Sequence, residues 1–197
     1  MKNYHYIVAS LPDIAGGWKF GEQTAESIIS EIQERCDRND SGLIAILLKS
    51  FRDESLTESF YRDALSSGNS FIREYFTFDL NVRNAKVRYL NKALGRPEDK
   101  DIIDIRTEEF EKAAEVEQIL LGKDIIAREK AIDDLYWEKL DELSLMHYFD
   151  MNVIMAFILK LHIIDRWHIL DENTGREMFK KLVDEVRSTF KGVEYEI

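Results

Sequence analysis

The second half of the chain contains two long stretches with helical periodicity. Between residues 124 and 144, apolar residues recur at spacings of three, four and seven, while acidic residues such as Asp133 fall on the other faces. This apolar stripe consists of Ile125, Ile132, Leu135, Tyr136, Leu140 and Leu143. The second stretch, 151–170, is apolar on nearly every side between Val153 and Leu159. Because such a helix must be covered all round, we expect 151–170 to be the central helix of the fold, with Asp150 as its N-cap.

Capping residues and apolar periodicity predict further helices on both sides of this pair. The predicted ranges are 24–36, 42–52 after an Asp40 N-cap, 55–67 with a Ser55–Glu58 capping box, 70–94, 107–121 with a Thr107 N-cap, and 176–190. Residues 4–11 are expected to form a short strand or an extended segment that ends at Pro12. Since the chain has only two prolines, we predict an all-α protein, an elongated bundle of about seven or eight helices.

Residues 97–106 form the best candidate boundary between domains. They connect the predicted 70–94 helix, which Gly95 and Pro97 close, to the helix expected from Thr107. The chain is therefore divided into an N-terminal helical module, 1–96, and a C-terminal helical module, 97–197. We expect the two modules to pack as one continuous body.

The net charge of −11 narrows the choice of partner. Phosphate binding needs clustered Lys and Arg, so nucleic acid is not expected as the main partner. An acidic surface suits contact with a basic patch on another protein. The candidate partner contacts on this surface are Glu108, Glu109, Glu111 and Glu115.

Trp18 and Phe20 lie in a glycine-rich stretch and have two interpretations. One is a loop that tucks both aromatic side chains into the core. The other is a pair of exposed aromatic anchors, since aromatic residues are common hot spots of protein interfaces. Both residues are therefore kept as candidate partner contacts.

The apolar runs and the single cysteine indicate in which cellular compartment the protein lies. The longest apolar run, 153–164, contains Lys160 and His162 and is shorter than the roughly 20 residues that span a bilayer. The N-terminal stretch is too polar for a signal peptide. The single cysteine, Cys36, excludes an intrachain disulfide and fits a reducing compartment. We expect a cytoplasmic protein without a transmembrane segment.

Histidines, carboxylates and nucleophilic side chains are the residues of this sequence that could form a catalytic or metal site. Asp165 and His168 have the spacing of half a di-iron carboxylate site, but the sequence contains no second such motif. His147, His162 and Asp150 would meet only through an unforeseen arrangement of the fold. No nucleophile motif surrounds Cys36. The sequence therefore predicts no catalytic residue, no cofactor and no metal site, with a helical metal–carboxylate enzyme as the less favoured alternative.

A dense group of polar residues occupies the predicted 70–94 helix. Its members are Asp79, Asn81, Arg83, Asn84, Lys86 and Arg88. Polar groups so close to a packed face need partners. We expect a solvated face together with a buried hydrogen bond between an Asn and an Arg; a ligand or partner site is the alternative.

Three segments resemble a known bacterial family of unknown function. They are YHYIVASLPDI (4–14), FDLNVRNAKVRYLNKALGR (78–96) and LDELSLMHYFDMNVIMAFILKLHIIDRWHILD (140–171). The family is encoded beside V-type ATPase subunits, where the helical C subunit (d in eukaryotes) would be expected. That subunit seats the rotor shaft on the membrane ring.

This resemblance implies a non-catalytic, C-like or accessory subunit that links the soluble rotary part of a V-type ATPase to its membrane ring. The implied partners are subunits of the rotor stalk or the membrane ring, which would hold the protein at the inner membrane. A C subunit contains three helical modules, whereas this chain has room for two at most. The alternative role is an assembly factor or helical adaptor.

Overall fold

The structure, a computed structural model, describes residues 4–14, 18, 20–105 and 110–170. Within these ranges it contains eight α-helices, one short 3-10 turn (Asp53–Ser55) and no β-strand. The helices are α1 (His5–Ser10), α2 (Ala25–Arg35), α3 (Arg38–Ser50), α4 (Glu58–Leu65), α5 (Ser70–Ala93), α6 (Ala113–Leu120), α7 (Ile125–Ser144) and α8 (Met151–Leu170). The all-α prediction is confirmed. The helix predicted over 176–190 lies outside the described residues.

The first described segment is helical, so the expectation of an extended segment over 4–11 is wrong. Residues His5–Ser10 form α1, and Ile7 is buried in the core. The Ser10 hydroxyl donates to the Ile7 carbonyl, 2.8 Å away, within the last turn of this helix. A single helical turn offers too few residues for periodicity to separate it from a strand.

Two helix starts also differ from the sequence prediction. Asp37, not Asp40, caps α3, since its carboxylate accepts from the backbone N–H groups of Asn39 and Asp40 at 2.9 and 3.0 Å. Thr57, not Ser55, caps α4. In both cases a Ser-, Asn- or Asp-rich stretch offers several caps, and propensity alone does not choose among them.

The helix predicted from Thr107 begins later in the described part of the chain. Residues 106–109 lie outside the described ranges, and α6 starts at Ala113. The predicted end of this helix is close to the observed one, because Leu121 is its C-cap. Gly122 then follows with its backbone N–H bonded to the Ile119 carbonyl at 3.0 Å.

The prediction of a central helix over 151–170 is confirmed by the burial of α8. Its fully buried side chains are Ile154, Met155, Ile158 and Leu161. The helix contacts α7, α2 and α3, so apolar groups from both halves of the chain cover it. Burying a large aliphatic side chain stabilises a fold by about 1.5–3 kcal/mol. This main core joins residues from both sides of residue 97, and the division into modules at that point stays a prediction.

A second, smaller cluster lies where α5, α6 and α7 meet. It consists of Phe78, Val82, Val116, Leu120, Ile132 and Leu135. Tyr136 packs against this cluster and also against the main core. The two clusters are therefore joined through the middle of α7.

Hydrogen bonds and ion pairs show the directions of the long helices. Tyr136 bonds to Asp79, and Glu129 accepts from Lys86 at 3.3 Å, so α5 and α7 are antiparallel. Lys160 pairs with Asp141, and Arg166 with Asp133, so α7 and α8 are antiparallel as well. The three helices therefore lie side by side in the order α5, α7 and α8. These polar pairs fix how the helices are aligned along their axes.

Substituting Phe157 by Ala tests the central position of α8. The side chain is 7% exposed, so we expect a loss of about 3–5 kcal/mol in the free energy of unfolding, as is usual for a deleted core aromatic. Urea denaturation measures this loss. The matched control is Ile169→Ala on the same helix, where the side chain is 50% exposed and a change within about 0.5 kcal/mol is expected. Equal effects of the two substitutions would contradict the burial described here.

Candidate partner-binding site

The turn between α7 and α8 exposes a run of apolar and aromatic side chains. Leu145, Met146, Tyr148 and Phe149 are 70%, 79%, 72% and 45% exposed. Isolated apolar residues are normal on protein surfaces, but contiguous ones mark interaction sites. Tyr, Phe and Met are also the residue types that are enriched in protein interfaces. This turn is therefore the leading candidate for a partner contact.

A hydrogen-bonded triad holds the turn in one conformation. The side-chain amide of Asn152 donates to Nε2 of His147 at 3.0 Å, and Nδ1 of His147 bonds to the Asp150 carboxylate. Because Nε2 accepts, Nδ1 carries the ring proton and donates it to the carboxylate. The other Asp150 oxygen accepts from the Asn152 backbone N–H at 3.0 Å. The predicted cap at Asp150 is confirmed, and the same carboxylate fixes both the turn and the start of α8.

Helix α1 adds a further aromatic residue beside this turn. The ring centroids of His5 and Phe149 are 4.0 Å apart, and the next residue, Tyr6, is 75% exposed. The Arg35 guanidinium lies 5.8 Å from the Tyr6 ring centroid and supports it from α2. We call the exposed set Leu145, Met146, Tyr148 and Phe149 the turn surface.

A small cleft adjoins the turn surface. It has a volume of about 210 Å³ and is lined by Ser70, Phe71, Glu74, Glu142, Leu143, Met146, His147 and Asn152. Met146 belongs to both the cleft and the turn surface. A partner side chain that packs on Met146 would therefore also reach the start of α5.

The candidate contacts predicted from the sequence lie elsewhere. Phe20 is buried, and Trp18 packs against the main core with its ring centroid 4.8 Å from that of Phe20. Glu111 and Glu115 are exposed next to and within α6, and Glu115 accepts from Lys112 at 2.8 Å. Glu108 and Glu109 lie outside the described residues. A contact role for these acidic residues stays a prediction.

The sequence reasoning did not single out the turn surface. Helical periodicity indicates only that residues 145–149 connect two helices. The available signal was that the turn LMHYF contains no Gly or Pro and is apolar, unlike an ordinary solvated loop. Because this turn only joins two long helices, its apolar side chains do not belong to the core between those helices.

Inside the bundle, Asp79 connects three helices. Its two carboxylate oxygens accept from the hydroxyls of Tyr61 and Tyr136, at 2.5 and 2.8 Å. Burial raises the pKa of Asp79, and these two hydrogen bonds oppose part of the rise because they favour the charged form. Burial and the neighbouring carboxylate raise the pKa of both tyrosines. Tyr61 and Tyr136 therefore stay protonated and act as donors.

Asp133 forms a second buried connection, between α7 and α8. Its side chain accepts from the Arg166 guanidinium and from Nε1 of Trp167, the latter at 2.6 Å. Burial raises the pKa of Asp133, and the charge of Arg166 opposes part of that rise. Asp133 is only 6% exposed, although it lies on a different face of α7 from the apolar stripe. An antiparallel hairpin that turns near residue 149 places positions 133 and 166 side by side, and that was the missed signal.

The two buried asparagines of α5, Asn84 and Asn91, bond to backbone groups. The buried side chain of Asn84 donates to the Ile103 carbonyl at 2.9 Å and accepts from the Ile103 N–H at 3.0 Å. Asn91 donates to the carbonyls of Glu98 and Lys100 at 3.1 and 2.6 Å. The polar residues of α5 thus fasten the connector after it to the helix.

These polar groups hold the helices and the connector together. Asp79 and Asp133 are each held by two donors from the chain itself. His162 stacks on Phe51 with 3.7 Å between ring centroids, and burial lowers the pKa of its imidazole. Among the residues described, no three His, Cys, Asp or Glu side chains come together as a metal site would require.

The fold defines an all-helical protein, and comparison with known proteins shows the family to which it belongs. Residues 50–189 match the family model described as protein of unknown function (DUF2764), and the chain belongs to that family. Neither the curated proteins nor the solved structures gave a match. In the part of the chain that is described, none of the helices has the length and apolar character needed to cross a membrane. The predicted membership in a family of unknown function is confirmed.

Substituting Asp79 by Asn tests the buried carboxylate through the pH dependence of stability. The folded-state pKa of Asp79 lies above the ordinary value of 3.8, so the folded state binds this proton more tightly than the unfolded state. Its contribution to stability is therefore full below about pH 4 and falls as the pH rises through the folded-state pKa. We expect the free energy of unfolding of the wild type, minus that of Asp79→Asn, to fall as the pH rises above about 4.

Urea denaturation across that pH range measures the difference. The control is Asp134→Asn, which removes the same charge from an exposed position on α7 and leaves the hydrogen bonds of Asp79 in place. A difference for Asp79→Asn that rises with pH would show that its pKa is lowered in the fold.

Proposed function

We propose that this protein is a non-catalytic, C-like or accessory subunit of a V-type ion-translocating ATPase that links the soluble rotary part to the membrane ring. The observation that carries the proposal is the turn surface, an exposed apolar surface held rigid on an all-helical body. The resemblance of residues 4–14, 78–96 and 140–171 to the family encoded beside V-type ATPase subunits supports this choice of partner. Membership in a family of unknown function is compatible with it.

A linking subunit must transmit force without bending, and the long helices suit that task. The 20 residues of α7 and the 20 of α8 each extend about 30 Å at 1.5 Å per residue. Asp133 and Asp141 connect the two helices at two points along their length, and the triad at His147 fixes the turn between them. A load applied at the turn surface would pass directly into the buried helix α8.

The turn surface suits a contact that is stable, because it is mostly apolar. Removing apolar surface from water contributes about 25 cal/mol per Å². Exposed Met146 and Tyr148 have large side chains that a partner could cover. Acidic residues elsewhere on the protein, such as Glu111 and Glu115, would add charge complementarity with basic segments of the same partner.

We further propose that the protein catalyses no reaction of its own. The two carboxylates with raised pKa, Asp79 and Asp133, are each engaged by two donors and connect helices. Mechanical coupling needs stiffness and a well-packed interface rather than a titrating group. An assembly factor would share these features, and the stoichiometry of the complex separates the two roles.

Affinity capture of the tagged protein from its native cell, with quantitative mass spectrometry, tests the proposal. We expect V-type ATPase stalk or ring subunits at a constant ratio to the tagged protein in the fully assembled complex. The double variant Met146→Asp/Tyr148→Asp should lose capture, since buried charges replace apolar contacts. The control Leu121→Asp changes an equally exposed apolar residue at the end of α6 and should retain capture.

Three results would count against the proposal or a part of it. Absence of any ATPase subunit from the wild-type capture removes the partner. Capture restricted to incomplete complexes assigns the protein to assembly. Undiminished capture by Met146→Asp/Tyr148→Asp removes the turn surface from the contact.

Reversing the acidic residues Glu108, Glu109, Glu111 and Glu115 to Lys tests the contribution of charge. Exposed charges mainly set the rate of encounter and are screened over about 8 Å at physiological ionic strength. We expect slower association with ATPase subunits at low salt and a smaller difference from the wild type at high salt. Binding kinetics at two salt concentrations measure this, and equal rates for both proteins at low salt would exclude these residues.

A further inference from the structure

A groove between α5 and α7 continues the small cleft beside the turn surface. A larger cleft, with a volume of about 920 Å³, lies between the same two helices. Glu74 of α5 and Glu142 of α7 line both clefts, so the two clefts form one groove. The groove begins at Met146 of the turn surface and reaches Phe110, just before α6. We call it the α5–α7 groove.

The positions of the lining residues give the length of the groove. On α5 the lining extends from Ser70 to Asn81, and on α7 it extends from Leu135 to Met146. On each helix this distance is about 17 Å at 1.5 Å per residue. A groove of this length accommodates about three turns of a partner helix.

Apolar side chains form the floor of the groove. Phe71, Phe78, Leu135 and Leu143 line it and also belong to the two apolar clusters, so the floor is fixed by the core beneath it. Phe110 lies at the far end, with its ring centroid 5.7 Å from that of Phe78. A floor of this kind suits the apolar stripe of an amphipathic helix.

Lysines on the rim of the groove are neutralised within the protein. Lys112 pairs with Glu115 at 2.8 Å and with Glu138 at 3.3 Å. Lys139 pairs with Glu142 at 2.9 Å. Each lysine therefore already has an acidic partner, and these pairs leave no excess of positive charge on the rim.

Two further glutamates make the rim acidic. Glu74 and Glu111 are exposed, and within the described ranges of the chain neither carboxylate is paired with a basic side chain. The Arg73 guanidinium, which also lines the groove, donates to the Ser67 carbonyl at 2.6 Å. The α5–α7 groove thus combines an apolar floor with carboxylates that suit Lys or Arg side chains of a partner.

We propose that the α5–α7 groove binds a basic amphipathic helix of the partner protein. Apolar side chains at spacings of three and four on that helix would lie on Phe78 and Leu135, and its Lys or Arg side chains would pair with Glu74 and Glu111. Because the groove begins at Met146, the same helix would cover part of the turn surface. This proposal rests on the proposed function, which supplies the identity of the partner, and adds the chemistry of the segment that the partner presents.

Binding of a defined peptide tests the groove directly. The probe is a fluorescently labelled peptide of about three helical turns, made of Leu and Lys with Leu at spacings of three and four. Fluorescence anisotropy measures its binding to the protein. The variant Glu74→Lys/Glu111→Lys should weaken binding about tenfold or more, because two attractive contacts become repulsive. The control Glu34→Lys/Glu54→Lys makes the same change of net charge at exposed positions outside the groove and should stay within about twofold of the wild type.

A substitution in the groove itself tests the contribution of shape. Thr77→Trp places a large side chain between α5 and α7 and should weaken binding of the peptide several-fold. Ala127→Trp, at an exposed position of α7 outside the groove, should leave binding unchanged. Circular dichroism checks that each variant is folded.

Three results of these measurements would overturn the proposal. The first is the absence of peptide binding to the wild-type protein. The second is an equal loss of binding in the groove variants and their controls. The third is equal binding of a peptide with the same composition whose Leu residues do not form a stripe, since a non-specific attraction between the basic peptide and the acidic protein would then explain the binding.

Photo-crosslinking in the native cell separates this proposal from the proposed function. With a photoreactive residue in place of Thr77, we expect a crosslinked partner peptide that contains Lys or Arg beside apolar residues at helical spacing. An acidic or non-periodic peptide, or no crosslink from position 77, would overturn the proposal even if position 148 crosslinks to an ATPase subunit. A basic amphipathic helix from a protein that is not an ATPase subunit would support binding in the groove and contradict the proposed function.

Discussion

The antiparallel packing of α8 against α7 is the interaction on which the rest of the fold depends. Helix α8 buries apolar side chains around most of its circumference, so it is stable only while neighbouring helices surround it. Apolar packing by itself tolerates shifts along the helix axis. The bonds of Asp133 to Arg166 and Trp167 do not, because a shifted register would leave a buried charge unpaired. We infer that this connection selects the register that the apolar core then stabilises.

Helix α5 is joined to this pair by a different kind of contact. Asp79 accepts from a tyrosine on α4 and from Tyr136 on α7, and Tyr136 packs against both apolar clusters. The main core and the smaller cluster are thus connected through a hydrogen-bonded carboxylate at their border. Buried networks of this kind are stable only when every member has a partner. Movement of α5 relative to α7 would take the Tyr136 donor away from Asp79, so the two clusters should move as one body.

Much of the fold could be predicted from the sequence because the signals were local. The long helices α5 and α7 show apolar residues at helical spacing, α8 is recognisable as a long apolar run, and Asp150 caps α8 where expected. The errors came from short or crowded signals. A single turn of helix at His5–Ser10 has no readable period, and three adjacent polar residues near Asp37 compete as caps.

The polar contacts were harder to predict, since they join residues far apart in the sequence. An acidic residue such as Asp133 looks solvated until the partner on the next helix is known. Asn84 satisfies a backbone group of the connector at Ile103, which helical periodicity does not reveal. The turn surface escaped notice for a related reason: whether an apolar turn is covered depends on every other element, and here the described elements leave it exposed.

The proposed function joins these features in one account: a rigid helical body with an apolar contact surface at the joint of its two central helices. Site-specific photo-crosslinking from position 148, in the native cell, tests that account most directly. The account predicts a crosslink from a photoreactive residue in place of Tyr148 to a V-type ATPase subunit of the rotor stalk or membrane ring. Crosslinks only to unrelated proteins, or only to a second copy of this chain, would contradict it.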